Sequence, residues 1–155
     1  MMPAARDLVA RLDLQPHPEG GWFRETWRAD ATVATPFGDR PAGTSILYLL
    51  DHHDVSRLHR LRQDEVWSFH AGAPLRLHIL HAECGHRERR LGPHDAPQAT
   101  VPAGAWMGAE PDGGWSLVGC ACMPGFHFDD LEFADAGRLA AAWPEHAALI
   151  GRLAP

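Results

Sequence analysis

The sequence predicts an all-β fold: a jelly-roll barrel of roughly nine to eleven short strands, with a short helix ahead of it and a helical cap behind it. Three observations carry the prediction. Fifteen glycines and thirteen prolines are spread evenly along 155 residues, a punctuation that suits many short strands joined by turns. Period-two alternation recurs, most clearly over Leu75–His81 and Trp115–Met123. Helical spacing of apolar residues is confined to the two ends. At this length the chain reads as one domain, residues 1–155 with a core of about 12–135, large enough to bury roughly two-thirds of its unfolded surface without staples.

Taken in order, Ala4–Leu14 sets Leu8, Val9 and Leu12 at helical spacing, and Pro16 with Pro18 stops the run. The Gly20–Gly21 turn opens a strand in which Trp22, Arg24 and Thr26 alternate with Phe23, Glu25 and Trp27, so both faces find something to pack on or bind. Residues 31–42, with Pro36, Gly38 and Pro41 among small polar residues, read as a mobile surface loop. Thr44–Leu50 is too apolar for a strand wet on one side and is expected in the middle of a sheet. Val55–Leu61 and Glu65–His70 also alternate and are expected to pair as a hairpin through Arg62–Asp64. Leu75, Leu77 and Ile79 then alternate with Arg76, His78 and Leu80, whereas Glu83–Pro97 has the polarity of a loop or hairpin tip. Gln98–Val101 reads as a short strand, Val101–Gly104 and Asp112–Gly114 as turns, Trp115–Met123 as a strand, and Pro124–Glu132 as the exit from the sheet. Arg138–Ala142 and Glu145–Leu153, broken at Pro144, make a two-piece cap within residues 136–155.

Composition excludes several function classes. A net charge of −6 with scattered basic residues is not the footprint of a nucleic-acid binder. No apolar run approaches the ~20 residues of a membrane span, and the N-terminus lacks a signal-peptide core, so a soluble cytoplasmic protein is expected. Cys84, Cys120 and Cys122 are odd in number and form no CxxC pair, which indicates neither a disulfide framework nor a zinc knuckle.

The chemistry concentrates in Ser56–Gly72, which holds His59, Glu65 and His70. Glu65 and Trp67 share one strand face, and His70 takes the other unless a bulge intervenes. Across the expected turn His59 and Glu65 face each other, which suits a carboxylate orienting an imidazole or both groups holding one metal. His59-x-Leu61, three residues, Glu65, six residues and Gly72, followed by Pro102-Ala-Gly-Ala-Trp-Met107, resembles the two signatures of the cupins, H-x-H-x(3–4)-E-x6-G and P-x-G-x2-H, with one substitution in each. More narrowly, the stretches PHPEGGWFRETWR, TSILYLL, LHRLRQDEVWSFHAGAPL, VPAGAWMGA and LVGCACMPGFHFDDLEFAD are similar to a small cupin family long classed as a domain of unknown function. The resemblance implies a cupin double-stranded β-helix, similar in fold to sugar-nucleotide epimerases and auxin-binding protein. It also implies a homodimer paired through an N-terminal strand, with Gly21–Asp30 as the candidate edge.

In metal-binding cupins three histidines and the glutamate hold the ion, and two of those positions are Leu61 and Met107 here. The cofactor is therefore unknown. A divalent metal would rest on His59 and Glu65 with a non-standard third ligand, Gln98, His70 or His78. The catalytic candidates are His59 as base, Glu65, and Tyr48, the one tyrosine. Arg57 or Tyr48 would stabilise an oxyanion. The candidate ligand-binding residues are Trp22, Arg24, Arg57, Trp67, His70, Gln98, Trp106 and Phe126. Three functions stay open: an isomerase- or epimerase-like enzyme moving a proton on a small, sugar-like molecule, a small-molecule binder without turnover, and a metal-dependent cupin. The enzyme reading requires His59 to reach a cavity.

Overall fold

The computed structural model describes residues 4–154. A helix α1 (Ala5–Leu12) precedes β1 (Gln15–Pro16), β2 (Trp22–Arg28), β3 (Thr32–Val33), β4 (Arg40–Pro41), β5 (Thr44–Leu50), β6 (Ser56–Arg60) and β7 (Asp64–Gly72). There follow β8 (Leu75–His81), β9 (Gly85–Leu91), β10 (Gln98–Val101), β11 (Trp106–Pro111), β12 (Ser116–Met123), β13 (Glu132–Phe133), α2 (Ala136–Ala142) and α3 (Ala147–Leu153). Six strands make one sheet in the order β1-β2-β5-β12-β7-β10, and five make a second in the order β13-β6-β11-β8-β9. Strand neighbours pair antiparallel throughout. This is the jelly-roll architecture that the sequence predicts, with both end helices.

Packing explains the strand compositions. The main core lies between the sheets and is filled by Tyr48, Leu50, Trp67, Leu75, Leu77, Ile79, Met107, Val118, Cys120 and Cys122. Leu47 and Leu49 of β5 point the other way, into a second cluster with Leu8 and Leu14 from the α1 segment. Thr44–Leu50 is apolar on both faces because helix α1 dries the outer one. On the opposite side Leu58 and Leu80 meet Leu139, Ile150 and Leu153 of α2 and α3, and the cap removes that face from water.

Three expectations are corrected, and one unassigned segment becomes a strand. The segments around His59 and Glu65 do not form a hairpin: β6 and β7 belong to different sheets, and the chain crosses between them at residues 61–63. Glu83–Pro97 is not a loop, because Gly85–Leu91 is strand β9, paired along its length with β8. Its charges fit because β9 ends the sheet order and residues 87–90 are exposed. Residues 31–42 are not a free loop either. They form the β3–β4 hairpin, and buried Arg40 donates from Nε and Nη2 to both carboxylate oxygens of Asp130 at 2.7 Å. Trp106–Pro111, between the two turns expected at Val101–Gly104 and Asp112–Gly114, is a full strand between β6 and β8.

Candidate functional site

Side chains of β2, β5, β7 and β12 enclose a cavity of about 160 Å³ within the six-stranded sheet's inner face. Phe23, Ile46, Tyr48, Trp67, Cys120, Cys122 and Phe126 supply most of its wall, and Glu19, Glu65 and His17 supply polar groups. Glu25, Arg28, His127 and Phe128 also line it, and the last, 57% exposed, marks the open end.

The chain carries Glu19 into this space by a local device. Gly20 and Gly21 have φ of 104° and 70°, a region that disfavours side chains. A Cβ on Gly20 would lie 2.2 Å from the Val55 carbonyl oxygen, and one on Gly21 2.5 Å from that of Leu49. The segment is thus pressed against the strand backbone, where the Tyr48 hydroxyl donates to the Gly20 carbonyl at 2.7 Å. Glu19, 6% exposed, is aimed inward as a result.

Its partner is His59. The His59 ring nitrogen Nδ1 lies 2.6 Å from the Arg57 carbonyl oxygen, which only accepts, so Nδ1 carries a proton. Nε2 then faces Glu19 Oε1 at 3.3 Å, and one further proton is shared between them. Burial pushes the Glu19 carboxyl up to about 8 and the His59 imidazole down, so that proton sits on Glu19 at neutral pH and both groups are neutral. Ser56 Oγ donates to Glu19 Oε2 at 3.2 Å. The Glu19 backbone N–H donates to His17 Nδ1 at 3.0 Å, leaving Nε2 protonated on a neutral ring that burial holds down at about 4.

Glu65 enters from β7. Its Oε2 accepts from the Trp67 indole N–H at 3.1 Å, and the Cys122 thiol contacts Oε1 at 3.8 Å. Burial first, and the Glu19 carboxyl second, push it up to about 7. Two carboxyl groups with near-neutral pKa values in one dry cavity make an acid and base set suited to proton transfer at physiological pH.

The sequence candidates divide. Glu65, Tyr48, Trp67 and Phe126 line the cavity. His59 is 1% exposed and does not line it; the expected base therefore does not reach the cavity, because its ring is packed against Glu19, which does. Tyr48 is committed to the Gly20 carbonyl, and burial raises its phenol well above the ordinary value, so it serves as a tether. Trp22 packs with the α1 cluster, and Arg24 is exposed on the opposite face of β2. Arg57 lies over the Phe133 ring at 4.7 Å. His70 is exposed at the bulge in the β7–β12 pairing, over Gly119. Gln98 is exposed and donates to Ser68 Oγ. Trp106 carries the Arg60 guanidinium at 4.6 Å and packs under the cap.

These placements bear on the metal. Leu61 and Met107 are buried in the core, 3% and 1% exposed, and His78 lies on the far face with Glu110 and His86. Among the described residues no three His, Cys, Asp or Glu side chains are placed to hold an ion. The set His59, Glu65 and Gln98 does not converge, and the residues present do not fit the expected metal centre.

Two residues escaped the sequence reading, Glu19 and Arg28. The one sequence signal for Glu19 is Gly20–Gly21, a glycine pair that permits a close approach. For Arg28 there is none. Strict alternation would turn Trp27 inward, but a bulge after Glu25 takes Thr26 out of register with β5, its hydroxyl donating to the Ser45 carbonyl at 3.1 Å. The inward pairs become Phe23 with Tyr48, Glu25 with Ile46 and Arg28 with Thr44.

Comparison with known proteins agrees with this architecture. The family model described as Cupin superfamily (DUF985) matches residues 6–134. A hypothetical protein from Leishmania major is similar at 34% identity and a TM-score of 0.90, over 98% of this chain and 99% of that one. A protein from Shewanella oneidensis is similar at 36% identity and 0.90, over 99% of each chain. Oxalate decarboxylase from Bacillus subtilis shares the fold at 16% identity and 0.59, over 92% of this chain and 37% of that one. No match is found among curated proteins.

Proposed function

Since the chain belongs to the DUF985 family of the cupin superfamily, whose barrel here encloses an acid and base pair, we propose that it is an enzyme moving a proton beside a carbonyl group of a small polar molecule. The observation that carries the reading is Glu19, facing the cavity with the His59 imidazole 3.3 Å behind it. The cavity, about 160 Å³, is close to the roughly 150 Å³ that accommodates benzene in an apolar core. The buried part of the ligand is therefore about one six-membered ring, sugar-like in size, and a nucleotide appendage would lie outside.

The roles follow from the environments. Glu65, the more acidic, takes the proton from the carbon next to the carbonyl as its carboxylate. Glu19, held neutral, gives its proton to the carbonyl oxygen, and an enol forms with no change in oxidation state. Return of a proton to the opposite face of that carbon, with the oxygen's proton going back to Glu19, gives the epimer; in a 2-hydroxy carbonyl compound, return to the former carbonyl carbon through the enediol gives the isomer. His59 positions Glu19, its unprotonated Nε2 facing the carboxyl at 3.3 Å. Tyr48 and Ser56 fix the Glu19 segment.

The test is solvent deuterium exchange at carbon, followed by proton NMR over a panel of small carbonyl compounds, with occupancy read from the Trp67 indole N–H signal. The wild type is expected to exchange a bound compound, and Glu65→Gln to slow exchange by about 10²–10⁴-fold, the usual contribution of a positioned base. Compounds that shift the Trp67 signal without exchanging would leave a binding protein and overturn the enzyme reading.

A further inference from the structure

The mouth of the cavity carries a charge pattern that the proton-transfer reading does not use. Among the described residues that line the cavity, Arg28 is the one lysine or arginine. It faces inward because the bulge after Glu25 displaces Trp27, and bulges re-aim side chains beside binding sites. Its Nε and Nη2 donate to the two oxygens of Glu25 at 2.9 and 2.8 Å. Glu25 lines the cavity too, so the fork is held in a fixed plane there. A guanidinium has five N–H donors, and Nη1 has no partner among the described residues. Arg28 and Glu25 are 44% and 37% exposed in their side chains, so a ligand can reach them.

His127 lines the same cavity. Its Nδ1 accepts from the Asp129 backbone N–H at 3.1 Å, which assigns the ring proton to Nε2 and makes His127 a second donor on the cavity wall. The sheet register sets Arg28, Thr44, Cys122 and Glu65 in one cross-strand row, and Phe23, Ile46 and Phe126 add apolar wall to the same cavity. Exposed donors, an apolar wall and buried hydrogen-bonding acids define a ligand by complementarity.

We infer that the cavity selects a compact oxyanion, a carboxylate or phosphate carried on an apolar or ring-shaped body, with Arg28 binding the anionic group through its free Nη1 edge and His127 assisting. Glu25 aims the guanidinium and tempers its charge. The inference rests on the cavity being the ligand site, and it does not depend on which proton is moved. Arginine suits the task because its planar fork matches two oxygens at once.

Benzoate, phenyl phosphate and benzamide are the probes, matched in ring size to the cavity and different in charge. Binding is measured at neutral pH by titration of the Trp67 indole signal. At least one of the anions is expected to bind about tenfold or more tightly than benzamide, and the better of the two names the oxyanion. Arg28→Gln should reduce that anion to the benzamide level while leaving benzamide unchanged. Glu25→Gln should tighten the anion, because it removes a competing negative charge and keeps an acceptor for Arg28. A merely structural Glu25–Arg28 pair would instead loosen it. Benzamide binding as tightly as both anions, or an anion preference surviving in Arg28→Gln, overturns the inference and leaves the proton-transfer reading intact. Failure of all three probes to move Trp67 overturns the inference, while the proton-transfer reading is decided by the exchange panel.

Discussion

At the scale of single residues the decisive fact is where one proton resides. Nδ1 of His59 is committed to the Arg57 carbonyl at 2.6 Å, so the pair with Glu19 has one proton to share, and burial assigns it to the carboxyl. Two outcomes follow. Exchange catalysis needs Glu65 ionised and Glu19 protonated, so its rate should rise through about 7 and fall through about 8, giving a narrow maximum between those values in a pH–rate profile. The second concerns stability. Both carboxyl pKa values are raised above the unfolded value, so their contribution is fully present below about 4.5 and is lost as pH rises through about 7 and 8. Glu19→Gln cannot ionise and should lose roughly 2–3 kcal/mol less than the wild type between pH 6 and 9, as measured by urea unfolding at the two pH values. Equal losses would show that the Glu19 carboxyl titrates normally.

At the scale of elements the two sheets show which parts of the chain were readable. Strands β5, β8 and β12 were visible because one face, or both, packs on apolar neighbours and imprints a period on the sequence. Strand β9 was hidden because an edge strand with a wet face tolerates GHRERRL, which has no apolar alternation. His59 and Glu65 do not face each other across a turn: they stand on different sheets, because the chain changes sheet at residues 61–63, and the carboxyl that His59 faces is that of Glu19. Glu19 and Arg28 escaped because backbone decides them, one by the close approach of Gly20 and the other by a bulge. The outer face of β8 carries its own consequence. His78 sits 3.3 Å from His86, 3.4 Å from Glu110 and 3.7 Å from Glu88. Glu110 also binds Arg76 and, from α3, Arg152, and the His146 ring lies tilted against His86 at 4.7 Å. Burial lowers the pKa values of His78 and His86, so their neutral forms stabilise the cap above about 6.5, and that stability is lost as pH falls below it. Glu110, held low first by Arg152, adds a loss only below about 4.5. Amide protection in α2 and α3 should therefore drop between pH 7 and 5 in hydrogen-exchange NMR while β5 and β12 stay protected. The double variant His78→Gln, His86→Gln should remove the drop, and an unchanged profile in it would place the cause elsewhere.

At the scale of the whole molecule the two sheets leave unequal edges. Helix α1 covers one outer face and α2 with α3 the other, but β1 pairs only with Trp22 and Phe23, so β2 continues from Arg24 to Arg28 with exposed side chains and one side open. An open edge with unpaired N–H and C=O groups invites a further strand, and Trp27, 55% exposed, adds apolar surface beside it. A second copy related by a two-fold axis offers the same edge in antiparallel orientation, which would join the two six-stranded sheets into one. We propose this homodimer for the chain, consistent with the edge expected from the sequence at Gly21–Asp30. Light scattering at micromolar concentration should return twice the 17.0 kDa of the chain. Trp27→Glu should return a single copy with little change in unfolding temperature, because the ring is mostly outside the core. A monomeric wild type would refute the pairing. Glu25 and Arg28 stand on that same edge strand, so dimer formation would also stiffen the cavity mouth. The Trp27→Glu monomer is accordingly expected to bind the anionic probes more weakly than the dimer, without losing the two buried acids.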